Sequence, residues 1–351
     1  MGVMTSEIES KAAVRISAWT DDADDAVDAF VAAHPEGLIY YTSRYRRLLM
    51  AMLGSACAGR LAWRGGRLTG VLPLQRCEGP WGAVLNTLPF FGSNGGVLAE
   101  DLESAAALRA TYENLSRQAG VAGATWISHP FAAPEQPPSH QFTDERIAQW
   151  TMLSSDSYVL DRIDSSARRN VQKARGAGIR VYESADALGF LEQVHRENMT
   201  AIGGRQKPAA FFSKLAGNMT HGRDWRLTVA EHDGEKIAAL LTFEAAQTVE
   251  YVMPAVREAA RGLQPTAAIL AHAMNDAAQR GMTRWNWGGT WLNQDGVYRF
   301  KKKWGAQERR YRYFITLNDP RLRQRTAAEL SEQYPWFYTL PFHLLETAEA
   351  S

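Results

Sequence analysis

The sequence predicts an α/β fold of the α+β kind, with one unit used twice. Each unit is a mixed, mainly antiparallel sheet flanked by helices. Three observations lead to this. The order strand, two helices, antiparallel strands, helix, strand is readable once over 14–129 and again over 164–316. Hairpin signals occupy matching places in the two copies, Ala62-Trp-Arg-Gly-Gly-Arg-Leu-Thr-Gly-Val-Leu72 beside Ala230-Glu-His-Asp-Gly-Glu-Lys-Ile-Ala-Ala-Leu240. The chain has 351 residues, room for two domains of about 150 residues each.

In the first copy Val14–Trp19 alternates like a strand, and Asp21–Ala33 reads as a helix stopped at Pro35. Ser43 caps a helix running to Leu53. Gly59–Trp63 and Leu68–Leu74 flank the Gly65-Gly66 turn, and Trp81–Pro89 is a further strand. Glu100–Gly120 is a helix closed by a glycine, and Ala124–His129 is a strand.

In the second copy Asp164 caps a helix to Ala174, and the strand Ile179–Glu183 follows. Helices span Ala185–Ala201 and Pro208–Gly217. Arg226–His232 and Lys236–Glu244 flank the Asp233-Gly234 turn, and Thr248–Met253 extends the sheet. Pro265–Arg280 is a helix with proline in its first turn, leading into the strand Trp285–Trp287. Arg310–Thr316 is the last strand. With the Pro-rich stretch Pro134–Pro138 near the join, the domains are placed at 1–155 and 156–351.

Composition bounds the function. Net charge is +1, so anion binding has to come from local clusters rather than a general field. Cys57 and Cys77 fit neither a metal spacing nor a disulfide framework, and no His/Cys/Asp cluster points to a metal. Met1–Val14 lacks the apolar core of a signal peptide, and no run approaches the ~20 apolar residues of a membrane span. A reducing cytoplasm is the expected location.

The stretch from Trp285 to Gly305 carries the most information. Trp285 and Trp287 alternate with Asn286 as in a half-buried strand, and Gly288 and Gly289 are expected to end it. In the following helix Val297, Phe300 and Trp304 make an apolar stripe, with Lys301 set inside it. A cation among apolar positions is costly unless it is paired or reaches a ligand. Its ordinary alternative is snorkelling to solvent. The helix after Asp164 buries Ala167, Val171 and Ala174 and shows Arg168, Gln172 and Arg175 on one flank, Arg169 and Lys173 on another. Such a face suits phosphates or is simply solvated.

Phe300-Lys301 with Trp304-Gly305, Trp287-Gly288-Gly289, and the run from Arg168 to Gly178 resemble the Fem (FemAB/FemX-like) family of cell-wall aminoacyltransferases. The resemblance implies two tandem GNAT-like, that is acetyltransferase-like, domains. It also implies transfer of an aminoacyl group from charged tRNA to an amine on a peptidoglycan precursor. The family's Phe-Lys pair near the reacting centre falls on Phe300 and Lys301. Leu88–Gly96, with Asn94, resembles a segment of bacterial acetyltransferase-like proteins. No long heptad insertion of the kind that builds a helical arm is present.

The expected site is therefore Lys301 and Phe300 at the reacting centre, with Arg168, Arg169, Lys173, Arg257, Arg261, Trp287 and Asn94 contacting substrate. Lys301 would supply charge to a developing oxyanion or to a phosphate. Charged tRNA is the expected co-substrate and no separate cofactor is implied. The acceptor would be a peptide or amino-sugar precursor. Acetyl-CoA enzymes of this fold carry glycines before the helix that begins at Pro265. Here Gln264 and Thr266 stand in those places, and Pro265 offers no N–H, which weakens a CoA cradle. Acyl-CoA transfer is nevertheless the alternative, and a non-catalytic module binding nucleic acid or an anionic glycan is a third reading. No general base is evident. Glu244 and Glu250 on second-copy strands are the carboxylates weighed for it, against solvated or ion-paired roles.

Overall fold

In the computed structural model, which describes residues 12–90, 95–132 and 136–345, the repeated order of elements becomes a repeated topology. The first half holds β1 (Arg15–Ala18), α1 (Asp24–Ala33), α2 (Ser43–Leu53), β2 (Ala56–Cys57), β3 (Arg60–Arg64), β4 (Arg67–Leu72), β5 (Gln75–Cys77) and β6 (Ala83–Asn86). It continues with β7 (Leu98–Ala99), α3 (Leu102–Ser116), β8 (Val121–Ile127) and β9 (Phe142–Met152). After it come α4 (Ser165–Gly176), β10 (Arg180–Glu183), α5 (Leu188–Ala201), α6 (Ala209–Asn218), β11 (Trp225–His232), β12 (Glu235–Ala245) and β13 (Thr248–Val256). The chain ends with α7 (Pro265–Gln279), β14 (Arg284–Trp291), α8 (Asp295–Lys302), β15 (Gln307–Leu317) and α9 (Ala327–Gln333).

Each half contains a parallel strand pair joined by a crossover helix: β6 and β8 through α3, β13 and β14 through α7. The other named pairings are antiparallel. An eleven-stranded sheet runs β10-β11-β12-β13-β14-β9-β15-β8-β6-β5-β2, and a four-stranded sheet runs β1-β3-β4-β7. The halves exchange strands at the centre. β9 pairs with β14 from the other half, and β15 pairs with both β9 and β8. The tandem acetyltransferase-like architecture expected from the sequence is thus present, with β9 and β15 stitching the two units together.

Three local expectations are corrected. The cap of α2 is Thr42, whose side chain accepts from Tyr45 N, and Ser43 is the first helical residue. β9 was not foreseen, because Phe142-Thr-Asp-Glu-Arg-Ile-Ala-Gln-Trp-Thr-Met152 carries charges where a strand usually shows apolar alternation. β14 does not stop at Gly288 and Gly289 but runs on to Trp291 through a bulge. One hydrophobic core packs Trp285, Trp287 and Trp304 against Ala167 and Val171 of α4 and the apolar face of α7. Another joins residues of both halves, including Leu48, Val84, Phe243 and Tyr313. Among the described residues no helix is long and apolar enough to cross a membrane.

Candidate active site

The site begins at the bulge in β14. Asn286 pairs with Trp150 on β9 and Gly289 with Ala148, so Trp287 and Gly288 together oppose the single residue Gln149. Gly288 sits at φ +71°, a region that glycine enters without strain. Gly289 has to be small, since a Cβ there would lie 2.1 Å from the Tyr311 hydroxyl. The distorted strand turns the carbonyls of both glycines towards α8.

Lys301 meets them. It is 4% exposed and is the buried residue of α8. Its Nζ donates to Thr290 Oγ1 at 2.7 Å, to the Gly289 carbonyl at 3.3 Å and to the Gly288 carbonyl at 3.4 Å. The Thr290 hydroxyl donates to Gln149 Oε1 at 2.8 Å, which leaves its oxygen as the acceptor for the lysine. All three neighbours are thus acceptors, one for each ammonium proton, but none is a carboxylate. Burial without a counter-charge pulls the Lys301 pKa from 10.5 down to about 7. The two carbonyl contacts are long for hydrogen bonds, so a substrate oxygen that displaces one of them costs little.

Phe300 is half-buried and meets Trp287 edge-on, with centroids 6.0 Å apart. Trp287 itself is 2% exposed, and its indole N–H donates to Thr151 Oγ1, which in turn donates to the Trp304 carbonyl. Trp287 is therefore a support for Phe300 and not the substrate contact expected from the sequence. The stripe around Lys301 is also corrected, for Val297 is 42% exposed.

Two cavities flank these residues. One of about 260 Å³ is lined by Asn170 of α4, Gln264 and Thr266 at the start of α7, and Arg299, Phe300 and Lys303 at α8. Gln264 holds a left-handed conformation (φ +63°), keeping the turn that glycine would otherwise supply. The other cavity, about 530 Å³, is lined by Gly289, Tyr311, Arg146, Arg205, Trp291 and Trp336, among others. Phe300 faces the first cavity. Gly289, whose carbonyl holds Lys301, faces the second. Arg146 is buried, paired with Asp144 at 2.7 Å and stacked 3.3 Å over Trp291. Arg205 lies 3.7 Å over Trp336.

The remaining expected residues separate into two groups. Arg168, Arg169 and Lys173 stand exposed on α4, which packs against α7 beside the smaller cavity. Among the described residues Arg168 reaches only the Ile163 carbonyl, at 3.4 Å, and Arg169 only Ser165 Oγ, at 3.3 Å. Arg257 and Arg261 do not join them. Arg257 donates to the Lys236 carbonyl at 3.1 Å and lies over Phe190, and Arg261 is paired with Glu258 at 2.7 Å. Neither lines a cavity described above. Asn94 lies outside the described residues.

The two carboxylates have opposite surroundings. Glu244 receives two bonds from Arg280, both at 2.7 Å, and one from Arg226 at 3.2 Å, which makes it an ion-pair anchor. Glu250 is 1% exposed. Its Oε2 accepts from Asn286 Nδ2 at 2.8 Å and from the Tyr40 hydroxyl at 3.3 Å, and burial raises its pKa to about 8. Gln149, Thr290, Arg146 and Tyr311 were missed by sequence reasoning. All four depend on β9 or on its pairing with β14 and β15. Among the described residues no group of three His, Cys, Asp or Glu converges as a metal site.

Residues 162–302 match the family model of the acetyltransferase (GNAT) domain, from just before α4 to the end of α8. The segment thus contains the smaller cavity's α4 and α7 walls and ends one residue after Lys301. The crystal structure of FemX superposes with a TM-score of 0.69 at 14% identity, covering 88% of this chain and 99% of that one. This chain has the Fem-type tandem GNAT fold. The C-terminal domain of a putative lysylphosphatidylglycerol synthetase from Agrobacterium fabrum superposes at 0.57, with 11% identity and coverage of 91% and 99%. A conserved protein of unknown function from Bacteroides thetaiotaomicron superposes at 0.55, with 10% identity and coverage of 87% and 100%. No curated protein matches the sequence. At these identities the Fem-type likeness establishes the fold alone.

Proposed function

We propose that this protein is an acyltransferase that moves an aminoacyl group from charged tRNA to an amine of a peptide or cell-wall precursor. The observation that carries the reading is Lys301, a buried ammonium held by three neutral acceptors, next to one residue lining each of two cavities. The donor's ester enters the α4–α7–α8 cavity past Phe300, and the acceptor enters the aromatic cleft at Arg146 and Trp291. The acceptor nitrogen attacks the ester carbonyl carbon, and a C–N bond forms. The carbonyl oxygen becomes an oxyanion that the Lys301 ammonium stabilises in a site shielded from water. Collapse breaks the ester C–O bond, and the departing ribose oxygen ends with the proton lost by the amine.

The choice of donor rests on charge. Among the described residues no ion pair forms on Arg168, Arg169, Lys173, Arg175, Arg299 or Lys303. Arg168, Arg169, Lys173 and Arg175 lie along about 10 Å of the α4 axis, and Arg299 and Lys303 extend the cluster from α8 beside the smaller cavity. A cluster spread over two helices suits the backbone of a nucleic acid better than one pyrophosphate. Charged tRNA is a cytoplasmic co-substrate, which places the proposed reaction there. Acyl-CoA transfer to an amino sugar is the second reading, favoured by the GNAT family match over 162–302. Against it, Pro265 has no N–H, and the Ala267 N–H is bonded to the Gln264 carbonyl at 3.0 Å. Incubation with charged tRNAs, or with acyl-CoAs, and a panel of amine acceptors decides between them. Transfer from acyl-CoA alone would overturn the tRNA reading, and binding without transfer from either donor would favour a binding module.

A further inference from the structure

Glu250 lines neither cavity, yet it is the buried carboxyl group nearest in bonding to the Lys301 bulge. It stands directly beside Asn286 across the parallel β13–β14 pair. Asn286 Nδ2 donates to Glu250 Oε2 at 2.8 Å, and Asn286 Oδ1 accepts from the Gly288 N–H at 3.0 Å. The Gly288 carbonyl accepts from Lys301. From the other half of the chain, Tyr40 donates its hydroxyl to the same Glu250 oxygen at 3.3 Å. An unbroken path of hydrogen bonds therefore runs from Tyr40 to Lys301.

The environment of Glu250 is costly if its only purpose is packing. Among the described residues its Oε1 is buried without a hydrogen-bond partner, and so are Nε and Nη1 of Arg284, two residues before Asn286 on β14. Arg284 lies 4.2 Å over the Phe131 ring instead of closing an ion pair with Glu250. Among the described residues Tyr40, Tyr45, Arg284 and Asn286 are the polar and titratable groups that face the carboxyl. A leucine of similar volume would avoid an unpaired buried oxygen. The bonds that the carboxyl does make are the ones that fix Asn286.

We infer that Glu250 is a positioning residue for Lys301: it locks Asn286, Asn286 locks the Gly288 bulge, and Tyr40 ties that brace to the first half of the chain. Its consequence for turnover rests on the role proposed above for Lys301, but its consequence for the lysine's surroundings does not. A substitution that breaks the brace frees the bulge carbonyls, loosens the lysine and exposes it. A substitution that keeps an acceptor at Oε2 leaves the brace in place.

The test reads the reactivity of Lys301 itself, by reductive methylation over a range of pH with mass-spectrometric quantitation of that one residue. No donor or acceptor is needed, so failure of the proposed reaction would not disturb the result. Glu250→Gln should leave the rate and its pH midpoint within about twofold of wild type, whereas Glu250→Leu and Asn286→Leu should each raise the rate about tenfold or more. Tyr40→Phe should give a smaller rise in the same direction. If Glu250→Leu does not fold by circular dichroism, Asn286→Leu and Tyr40→Phe read the same path. In a transfer assay the brace predicts a loss of kcat at unchanged KM for Asn286→Leu, with Glu250→Gln near wild type. Lys301 reactivity unchanged in Asn286→Leu and in every folded Glu250 variant would overturn the inference.

Discussion

Lys301 Nζ lies 2.7 Å from Thr290 Oγ1, and that hydroxyl gives its own proton to Gln149. The direction of this bond matters. Thr290 cannot donate to the lysine while it donates to Gln149, so the arrangement selects the ammonium form even as burial opposes it. Three elements, β9, β14 and α8, meet to hold one cation.

Replacing that cation tests both chemistry and stability. Lys301→Met should slow transfer by about a hundredfold or more, the range found when a donor to a developing oxyanion is removed. It should also raise the melting temperature in acid. The unfolded chain keeps the lysine proton up to about 10.5 while the folded one releases it near 7, so between those values the unfolded state binds more protons. The lysine's contribution to wild-type stability therefore rises with pH across that window. The Met variant lacks the rise, and its advantage is greatest below pH 7 and shrinks towards pH 10. Thermal melts at several pH values check this.

Gly289 and Tyr311 form a steric pair. Gly289→Ala places a methyl group 2.1 Å from the Tyr311 hydroxyl and 3.1 Å from the ring carbon bearing it. The single variant should lose about 1–3 kcal/mol, in the range of overpacked sites, together with most of its activity. Adding Tyr311→Phe removes the closest atom and should restore a large part of both. A denaturation series on the two single variants and the double variant measures the coupling.

The α4 face is tested by charge reversal. Arg168→Glu and Lys173→Glu should raise the KM for charged tRNA with little effect on the melting temperature, because both side chains are exposed and lack ion pairs among the described residues. The salt dependence of tRNA binding should flatten by roughly one unit of log–log slope for each phosphate that is no longer neutralised. Arg261→Glu, at a residue that lines neither cavity and whose exposed side chain pairs with Glu258, serves as the control and should change neither.

Glu250 responds to pH in the opposite sense to Lys301. Its folded pKa, about 8, stands above its ordinary value of 4.5. Between those values the folded state binds more protons, so the stability it contributes is complete below 4.5 and is lost as pH rises through 8. Glu250→Gln stays neutral throughout. Relative to wild type it should gain stability steadily from pH 5 to pH 8.5, as seen in chemical denaturation.

Much of this site could be read in the sequence, because helical phase and strand alternation are local properties. Lys301 is inward in α8 as its spacing implied, and the basic flanks of α4 are exposed as expected. What misled was context. Val297 shares the lysine's phase, but α8 has only eight residues, and its first turn projects into solvent. Trp287 looked like a ligand surface and is core, since only the fold shows Phe300 and Trp304 closing over it. Arg257 and Arg261 stood near a helix start, yet the 3-10 turn Glu258–Leu263 spends one on a carbonyl and the other on a neighbouring glutamate. Gln149 and Arg146 escaped notice because β9 is recognisable mainly by the strands that enclose it. Glu244 and Glu250 looked equivalent in sequence. Only the positions of Arg226 and Arg280 make one an ion-pair anchor and leave the other a buried acid.

The role of Lys301 is tested most directly by single-turnover measurement of labelled aminoacyl transfer from charged tRNA to an amine acceptor, comparing wild type with Lys301→Met. A buried ammonium at the reacting centre predicts transfer by wild type and a rate about a hundredfold lower in the variant, with tRNA affinity unchanged. Equal rates in the two proteins, or transfer by wild type from acyl-CoA but from no charged tRNA, would contradict it.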